Sequence, residues 1–540
     1  MANQVGYGAK QPNVTEVFTI DSIAGGFSET QYSDSTKATY YNAVGIDPDF
    51  AIANYNKTSG AIIPVSYQKF SGAGLTGKAL WMITNPKDQN TYVYCSNGKI
   101  LSYDLNLANE TLIGTPTSGA GNGAAYYNNY LYFATPTDVS RYGPLNGAPT
   151  LVNTFWTSTL SKTALTNTTY PQIAGTTIPN HPMHVHYDNF LYFGDFINGQ
   201  GYIHKIRTFQ GTAEGDTDNG SAYGAMLLPF GFMPTDIESY DQDVIITAVQ
   251  TTSSSVMQGR AAVFLWTPTQ TTFYRGPVYL PDPMATAMLS NNGVTYVFSG
   301  NAVSGGGLRV TSYNGGLIFT QEIYQEEGCP PLAGAVAPLG NRICWGGFTV
   351  NPEVSASVFA YGYKKQTTST AGALHNIIMT TSVGSSPNVT ALANAQQSSN
   401  NTNRFIVAWA DNSATGIDQL SSSVYAYNSY WLSDIFQVGV AFFIKQIRIP
   451  LAASVTAGMS CTPVIYLDDN SSQISLTAIN STNFPNGQKK ILYKLPDSNL
   501  AKCQGTNNFQ IAFDWNGGMV ATPIVFPIEI IIEKYLDETQ

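Results

Sequence analysis

Runs of aromatic and β-branched residues, each introduced by a turn of Asn, Asp or Gly, recur along the chain and predict strands at fairly regular intervals. The clearest are Tyr92–Cys95 behind Gln89-Asn90, Tyr130–Phe133 behind Asn128-Asn129, and Phe190–Phe193 behind Asp188-Asn189. Weaker copies are Val244–Ile246 behind Asp241-Gln242-Asp243, Val294–Phe298 behind Asn292-Gly293, Arg342–Trp345 behind Gly340-Asn341, and Arg404–Ala408 behind Asn403. A partner strand follows most of them, at Lys99–Asp104, Asp138–Tyr142, Tyr202–Arg207, Ala262–Trp266, Leu308–Tyr313 and Val358–Tyr363. Turn, strand, loop and strand make half of a four-stranded unit, and the spacing of roughly 40–60 residues is that of a propeller blade. A blade cannot bury both of its faces alone, so radial stacking gives the repetition a physical reason. The pattern predicts an all-β chain with a β-propeller of about seven blades over residues 31–435, its first blade poorly marked at Ile46–Ser71. A run of unrelated β-sandwich domains is the competing arrangement.

After Trp431 the pattern changes to longer, alternating strands. Ile447, Ile449 and Leu451 alternate with Arg448 and Pro450; Phe509, Ile511, Phe513 and Trp515 alternate with Gln510, Ala512 and Asp514; Ile528, Ile530 and Ile532 alternate in part with Glu529 and Glu533. With Pro463–Leu467, Ile474–Ala478 and Lys490–Leu495 between them, these predict a jelly-roll-like β-sandwich over residues 436–540. Residues 1–30 carry Gly, Asn and Gln without a strand pattern and are expected to form an N-terminal arm ordered by a partner.

Composition narrows the function. Only 11% of the 540 residues are charged, against 12% aromatic, with 33 Tyr, 26 Phe and 49 Gly, which is strand chemistry under a polar, uncharged surface. The net charge of −10 argues against a sequence-independent grip on phosphate backbones, which needs clustered Lys and Arg. The densest basic groups, Lys364-Lys365 and Lys489-Lys490, are pairs and read as solvated surface. The opening lacks the apolar core of an export signal, and the longest apolar stretch, Val440–Ile444, is too short to span a bilayer. Cys95, Cys329, Cys344, Cys461 and Cys503 show no C-x-x-C spacing and are expected as reduced thiols, with Cys461 and Cys503 near enough in sequence to share a domain.

Few motifs carry chemistry. His181, His184 and His186 lie close together, and His184 and His186 share one strand face as a His-x-His pair that suits zinc; a third ligand is not evident nearby, and His204 joins them only if the blade folds it across. Glu214, Asp216 and Asp218 before Gly220 are spaced like part of a calcium loop, but the glycine falls one place late and the closing bidentate Glu is missing. The adjacent Glu326-Glu327 pair points to opposite faces of a strand and makes no glycosidase dyad. Nucleophile elbows, phosphate loops and dinucleotide fingerprints do not occur in a supporting context. Neither a catalytic residue nor a cofactor is expected, and His184, His186, Asp216 and Asp218 stand only as weak metal candidates.

The low-charge text rich in Asn, Thr, Gly and Tyr, the blade Tyr126–Ala134 and the closing strand Ile444–Pro450 together resemble tailed-bacteriophage structural proteins. The chain is similar in style to the tail-tip, nozzle-type propeller of short-tailed phages. That resemblance implies a non-enzymatic virion tail protein assembled in the host cytoplasm. It implies a homo-oligomeric ring, typically a hexamer, below a tail adaptor and around the DNA exit channel, with genomic DNA passing through unbound. An acidic, low-charge lumen suits such passage, because phosphate contacts are what give affinity. Two other functions stay open: a fibre or recognition module that binds host-surface glycans through loop aromatics, and a propeller glycosidase.

Overall fold

The computed structural model describes residues 14–534 apart from 49–60, 158–180, 215–225, 301–306, 314–319, 348–356, 363–372, 380–387, 397–402, 421–428, 496–505, 516–522 and shorter stretches of five residues or fewer. The described residues are all-β and contain no helix. The chain divides into two compact units. One combines Met1–Ser66, Ala360–Met379 and Ser421–Gln540; the other combines Tyr67–Phe359 and Thr380–Leu420.

Seven antiparallel meanders follow one another along the chain. Meander one is Ala79–Thr84, Thr91–Cys95, Ile100–Tyr103 and Glu110–Gly114; meander two is Ala124–Tyr127, Tyr130–Ala134, Asp138–Gly143 and Thr150–Thr157. Meander three is Met183–Val185, Leu191–Ile197, Gln200–Phe209 and Thr212–Glu214, with Met226–Leu227 added to its third strand. Meander four is Phe232–Tyr240, Asp243–Ser253, Val256–Trp266 and Val278–Tyr279; meander five is Met284–Asn291, Val294–Gly300, Leu308–Tyr313 and Thr320–Gln325. Meander six is Val336–Leu339, Arg342–Gly346, Ser357–Gly362 and Ala373–Met379. Meander seven is Asn388–Gln396, Asn403–Ala410 and Thr415–Leu420, completed by Tyr67–Lys69 from ahead of meander one.

The turns between first and second strands are the turn words of the sequence. Asn128 and Asn129 take φ of 50° and 66°, and Asn292 and Gly293 take 52° and 77°, the doubly positive backbone that matches a hairpin's twist. Asn and Gly tolerate this region best, which explains their recurrence there. In meanders one, two and six the second strand is buried throughout: Thr91–Cys95, Tyr130–Ala134 and Arg342–Gly346 are buried at every position. Both faces of each are covered because consecutive meanders share a core. Tyr92, Tyr94 and Ile100 pack with Leu131 and Phe133, Tyr132 and Val139 with Leu191 and Phe193, and Ile245 and Val263 with Met288 and Val297. The succession returns on itself. Val93, Cys95 and Leu101 of meander one lie in one core with Ala391, Ile406, Ala408 and Ile417 of meander seven, and the first strands of consecutive meanders neighbour one another, the seventh also neighbouring the first.

The unit of Met1–Ser66, Ala360–Met379 and Ser421–Gln540 takes in the last strand of meander six and holds two further antiparallel sheets. One runs Val14–Ile20, Ile528–Lys534, Phe442–Pro450, Lys490–Lys494; the other runs Ser472–Ser475, Thr462–Leu467, Asn508–Trp515, Ser429–Leu432, Asn42–Val44. Alternation does here what it predicted: Ile447, Ile449, Ile530 and Ile532 are buried in one core with Ile465, Leu467, Phe509 and Phe513, while Arg448 and Glu529 pair at 2.7 Å on the outer face.

Two expectations change. Residues 1–30 include a strand: Val14–Ile20 pairs along Ile528–Lys534, with Phe18 edge-on to Phe509 at 5.4 Å and Glu16 paired to Lys534. Ile46–Ser71 makes no blade among its described residues; Ile46 bridges Pro64, Ile62 bridges Ile524, and Tyr67–Lys69 joins Thr415–Leu420. The two compact units interleave along the chain. The physical reason is that an edge strand with one buried face docks wherever its partner's hydrogen bonds are open, however distant in sequence.

Candidate functional site

The histidines singled out by sequence fall into two groups. Met183–Val185 carries His184, and His186 follows it into the hairpin turn. That turn is held by backbone bonds from His186 to Phe190 and from Asn189 to His186 (each 3.0 Å), and the carboxylate of Asp188 accepts from the Phe190 N–H and the Tyr192 hydroxyl. Across in meander four, Phe232–Tyr240 brings Ser239 opposite both rings. His184 Nε2 and His186 Nδ1 each lie 2.7 Å from the one Ser239 Oγ. His184 Nδ1 lies 3.3 Å from Glu238 Oε1, and the Ser239 carbonyl accepts from Ser290 Oγ at 2.7 Å, so the polar chain continues into meander five.

Carboxylate, imidazole and hydroxyl in this order form a nucleophile relay in hydrolases. Here Ser239 is only 3% exposed and a second imidazole occupies its oxygen. The arrangement ties two rings of meander three to one hydroxyl of meander four. Burial pulls His184 down, but the charge and hydrogen bond of Glu238, with Asp236 behind it, outweigh that and leave it above its ordinary value. Burial also lowers His186, and the neighbouring His184 pushes the same way against Asp188. Asp236, fully inside, is pushed by burial and by Glu238 up to about 8, although its carboxyl accepts the backbone N–H of Met288 at 2.6 Å and of Ile237 at 2.9 Å.

His181 and His204 belong to a separate buried group around Asp195. His181 Nδ1 is 2.9 Å from the Gly194 carbonyl and 3.8 Å from Asp195 Oδ1, and His204 Nε2 is 3.8 Å from Asp195 Oδ2. The His204 ring stacks on Phe193 at 4.9 Å and leans on Trp156 at 4.7 Å. The fold thus brings His204 to His181, because His204 stands opposite Phe193 in the ladder, and leaves both apart from the Ser239 group.

Asp216, Asp218, Gly220, Glu326, Glu327, Lys364, Lys365 and Cys503 lie outside the described residues. Cys95, Cys329, Cys344 and Cys461 are buried. Among the described residues, no group of three or more His, Cys, Asp or Glu is placed to hold a metal ion, and no helix is long and apolar enough to cross a membrane. Sequence reasoning missed Ser239, Glu238, Asp236 and Asp195. A signal existed for the first three: the polar cluster Asp236-Ile237-Glu238-Ser239 interrupts an otherwise buried strand, and buried polar groups require partners.

No protein-family model matches this chain, and no curated protein matches it. Solved structures similar to it include the extracellular domain of a putative hybrid two component system from B. thetaiotaomicron, at 12% identity and a TM-score of 0.41, covering 67% of this chain and 40% of that one. The structure of U3-55K is similar at 11% identity and 0.40, covering 66% and 98%; BBS1N in complex with ARL6DN is similar at 13% and 0.40, covering 67% and 98%. The chain spans 40% of the length of the first of these. None of the three is described as a virion component, and at these scores the likeness carries no functional argument.

Proposed function

We propose that this chain is a non-enzymatic structural protein of a phage tail, a nozzle-type ring component around the DNA exit channel. In this reading the seven meanders are blades of a closed propeller, with Tyr67–Lys69 as the fourth strand of the last blade. The two sheets of the other unit are a jelly-roll-like β-sandwich. The observation that carries the reading is the series of shared cores that links meanders one to five and returns from seven to one, with the first strands of five, six and seven neighbouring in turn. A scaffold of this kind draws its shape from stacked cores, which suits a part loaded by passing DNA. The location of four histidines supports it as well: His184 and His186 join meander three to four through Ser239, and His181 and His204 pack against Trp156 of meander two.

Partners in this reading are further copies of the chain in a hexameric ring, a tail adaptor, and a host receptor at the tip. The net charge of −10 leaves transiting DNA unbound. Electron microscopy of the purified full chain and of virions tests it. Closed rings, and density for the chain at the tail tip, are the expected result. A protein that stays monomeric at micromolar concentration and is absent from virions overturns it, as does a gene neighbourhood of sugar-utilisation enzymes in place of portal, adaptor and capsid genes.

A further inference from the structure

We propose that His184 and His186, sharing the single hydroxyl of Ser239, form a proton-counting latch between meanders three and four that holds with at most one added proton and opens with two. The argument is a hydrogen-bond count. A serine hydroxyl has one hydrogen to donate and lone pairs to accept with. With both rings neutral, His186 Nδ1–H donates to Ser239 Oγ and the Ser239 hydroxyl donates to His184 Nε2, while His184 Nδ1–H donates to Glu238; the 2.7 Å and 3.3 Å contacts are all used, at the expense of the hydrogen bond between the His186 ring and the Gln242 backbone. A proton added to His184 leaves this geometry intact. Nε2 becomes a donor, and the hydroxyl turns to His186 Nδ1, which exposes its lone pair by moving its own hydrogen to Nε2. A second proton has no such accommodation. Both rings then donate to one oxygen, the hydroxyl hydrogen loses both of its acceptors, and two cations face each other in a site where Ser239 is buried.

The surrounding charges order the two steps. Glu238 carries the charge that faces His184, with Asp236, protonated up to about pH 8, behind it; Asp188, His184, the Gln242 backbone and Asp243 act on His186, with the Tyr187 ring 5.4 Å away and Tyr192 bonded to Asp188. His184 is raised above 6.5 and takes the first proton; His186 is lowered below 6.5 and resists the second. The signs are opposite. The contribution of His184 is present below its ordinary value and lost as pH rises through its folded one, whereas that of His186 is present above its ordinary value and lost as pH falls below it. Opening is therefore an acid event, and it is independent of the virion role proposed above.

Hydrogen exchange of the full chain between pH 7.5 and 4.5, corrected for intrinsic rates, tests the latch. Protection of Met183–Phe193 and Phe232–Tyr240 is expected to fall by about tenfold or more below pH 6.5, while Arg342–Gly346 keeps its own. His186→Asn and His184→Asn should each abolish the step, because either leaves a site that binds only one proton. Persistence of the step in His184→Asn reduces the effect to an ordinary buried histidine and overturns the proposal, as does a wild-type protein without a step. Should a variant fail to fold, ring carbon shifts of the wild-type histidines decide: opening must coincide with the second of the two titrations, and coincidence with the first overturns the latch.

Discussion

Ile406→Ala tests whether meander seven closes on meander one. Ile406 is fully buried, in a core with Val93, Leu101 and Tyr103 of meander one and Ala391, Ala408 and Ile417 of its own. Removing three side-chain carbons forfeits about 2.4 kcal/mol of transfer free energy. The unfilled cavity brings the loss to about 3–4 kcal/mol, because backbone ladders on both sides limit collapse. In a closed ring this loss is felt by both meanders that line the cavity. Amide exchange should therefore quicken by about a hundredfold in Thr91–Cys95 and Ile100–Tyr103 as well as in Asn403–Ala410. Val263→Ala, in the core that meanders four and five share, serves as the matched control and should leave Thr91–Cys95 unchanged. Acceleration confined to residues 388–420 in Ile406→Ala would refute the shared core and, with it, the closure.

Two further outcomes follow from single positions. Gly123 has φ of 142°, and a Cβ there would stand 1.9 Å from the backbone oxygen of His181, so Gly123→Ala should cost about 3 kcal/mol in urea unfolding; Gly276→Ala, which meets nothing within 4 Å, should cost less than about 0.5 kcal/mol, and equal losses would contradict the packing. Asp236 keeps its proton up to about pH 8 in the fold, whereas its ordinary value is 3.8, so the folded state binds the extra proton across that window and stability falls as pH rises through it. Asp236→Asn should remove a slope of at most about 1.4 kcal/mol per pH unit between pH 5 and 8, read as urea midpoints; an unchanged slope places the ionisation elsewhere.

The hairpins were legible because their signal is local. Asn128-Asn129 and Asn292-Gly293 need positive φ, and few other residues take it. The alternation from Ile447 to Leu451 and from Phe509 to Trp515 was legible for the same reason, since one face of each strand is wet. Illegible were Val14–Ile20 and Tyr67–Lys69, whose partners lie hundreds of residues away, so that nothing near them in sequence announces the pairing. A missed signal sits in the first strands. Register shifts fall at Thr235, Thr286 and Thr390, each buried and each between two paired residues, and a Thr repeated in the first strands of three meanders marks a β-bulge. Of the site, the common face of His184 and His186 followed from strand period, but Ser239 did not, because contact between meanders has no sequence period.

The scarcity of charge has a structural counterpart in how the meanders are joined. Tyr94 donates to the Ala134 carbonyl between meanders one and two, and Tyr127 to the Asn189 carbonyl between two and three. Asn291 reaches the Gly340 and Arg342 carbonyls between five and six, Asn394 the Pro338 carbonyl between six and seven, and Thr415 the Leu75 carbonyl beside meander one. Each is a neutral side chain bonded to backbone, worth about 1 kcal/mol and insensitive to salt or to pH near neutrality. The joint between three and four departs from this rule, with two imidazoles on one hydroxyl, and Asp236 carries a titrating group onward from four to five. Between meanders two and three, Trp156 also packs on the imidazoles of His181 and His204 beside Asp195. The Ser239 group differs in that its two imidazoles share one hydroxyl across a joint, so a second proton there breaks a hydrogen bond between meanders.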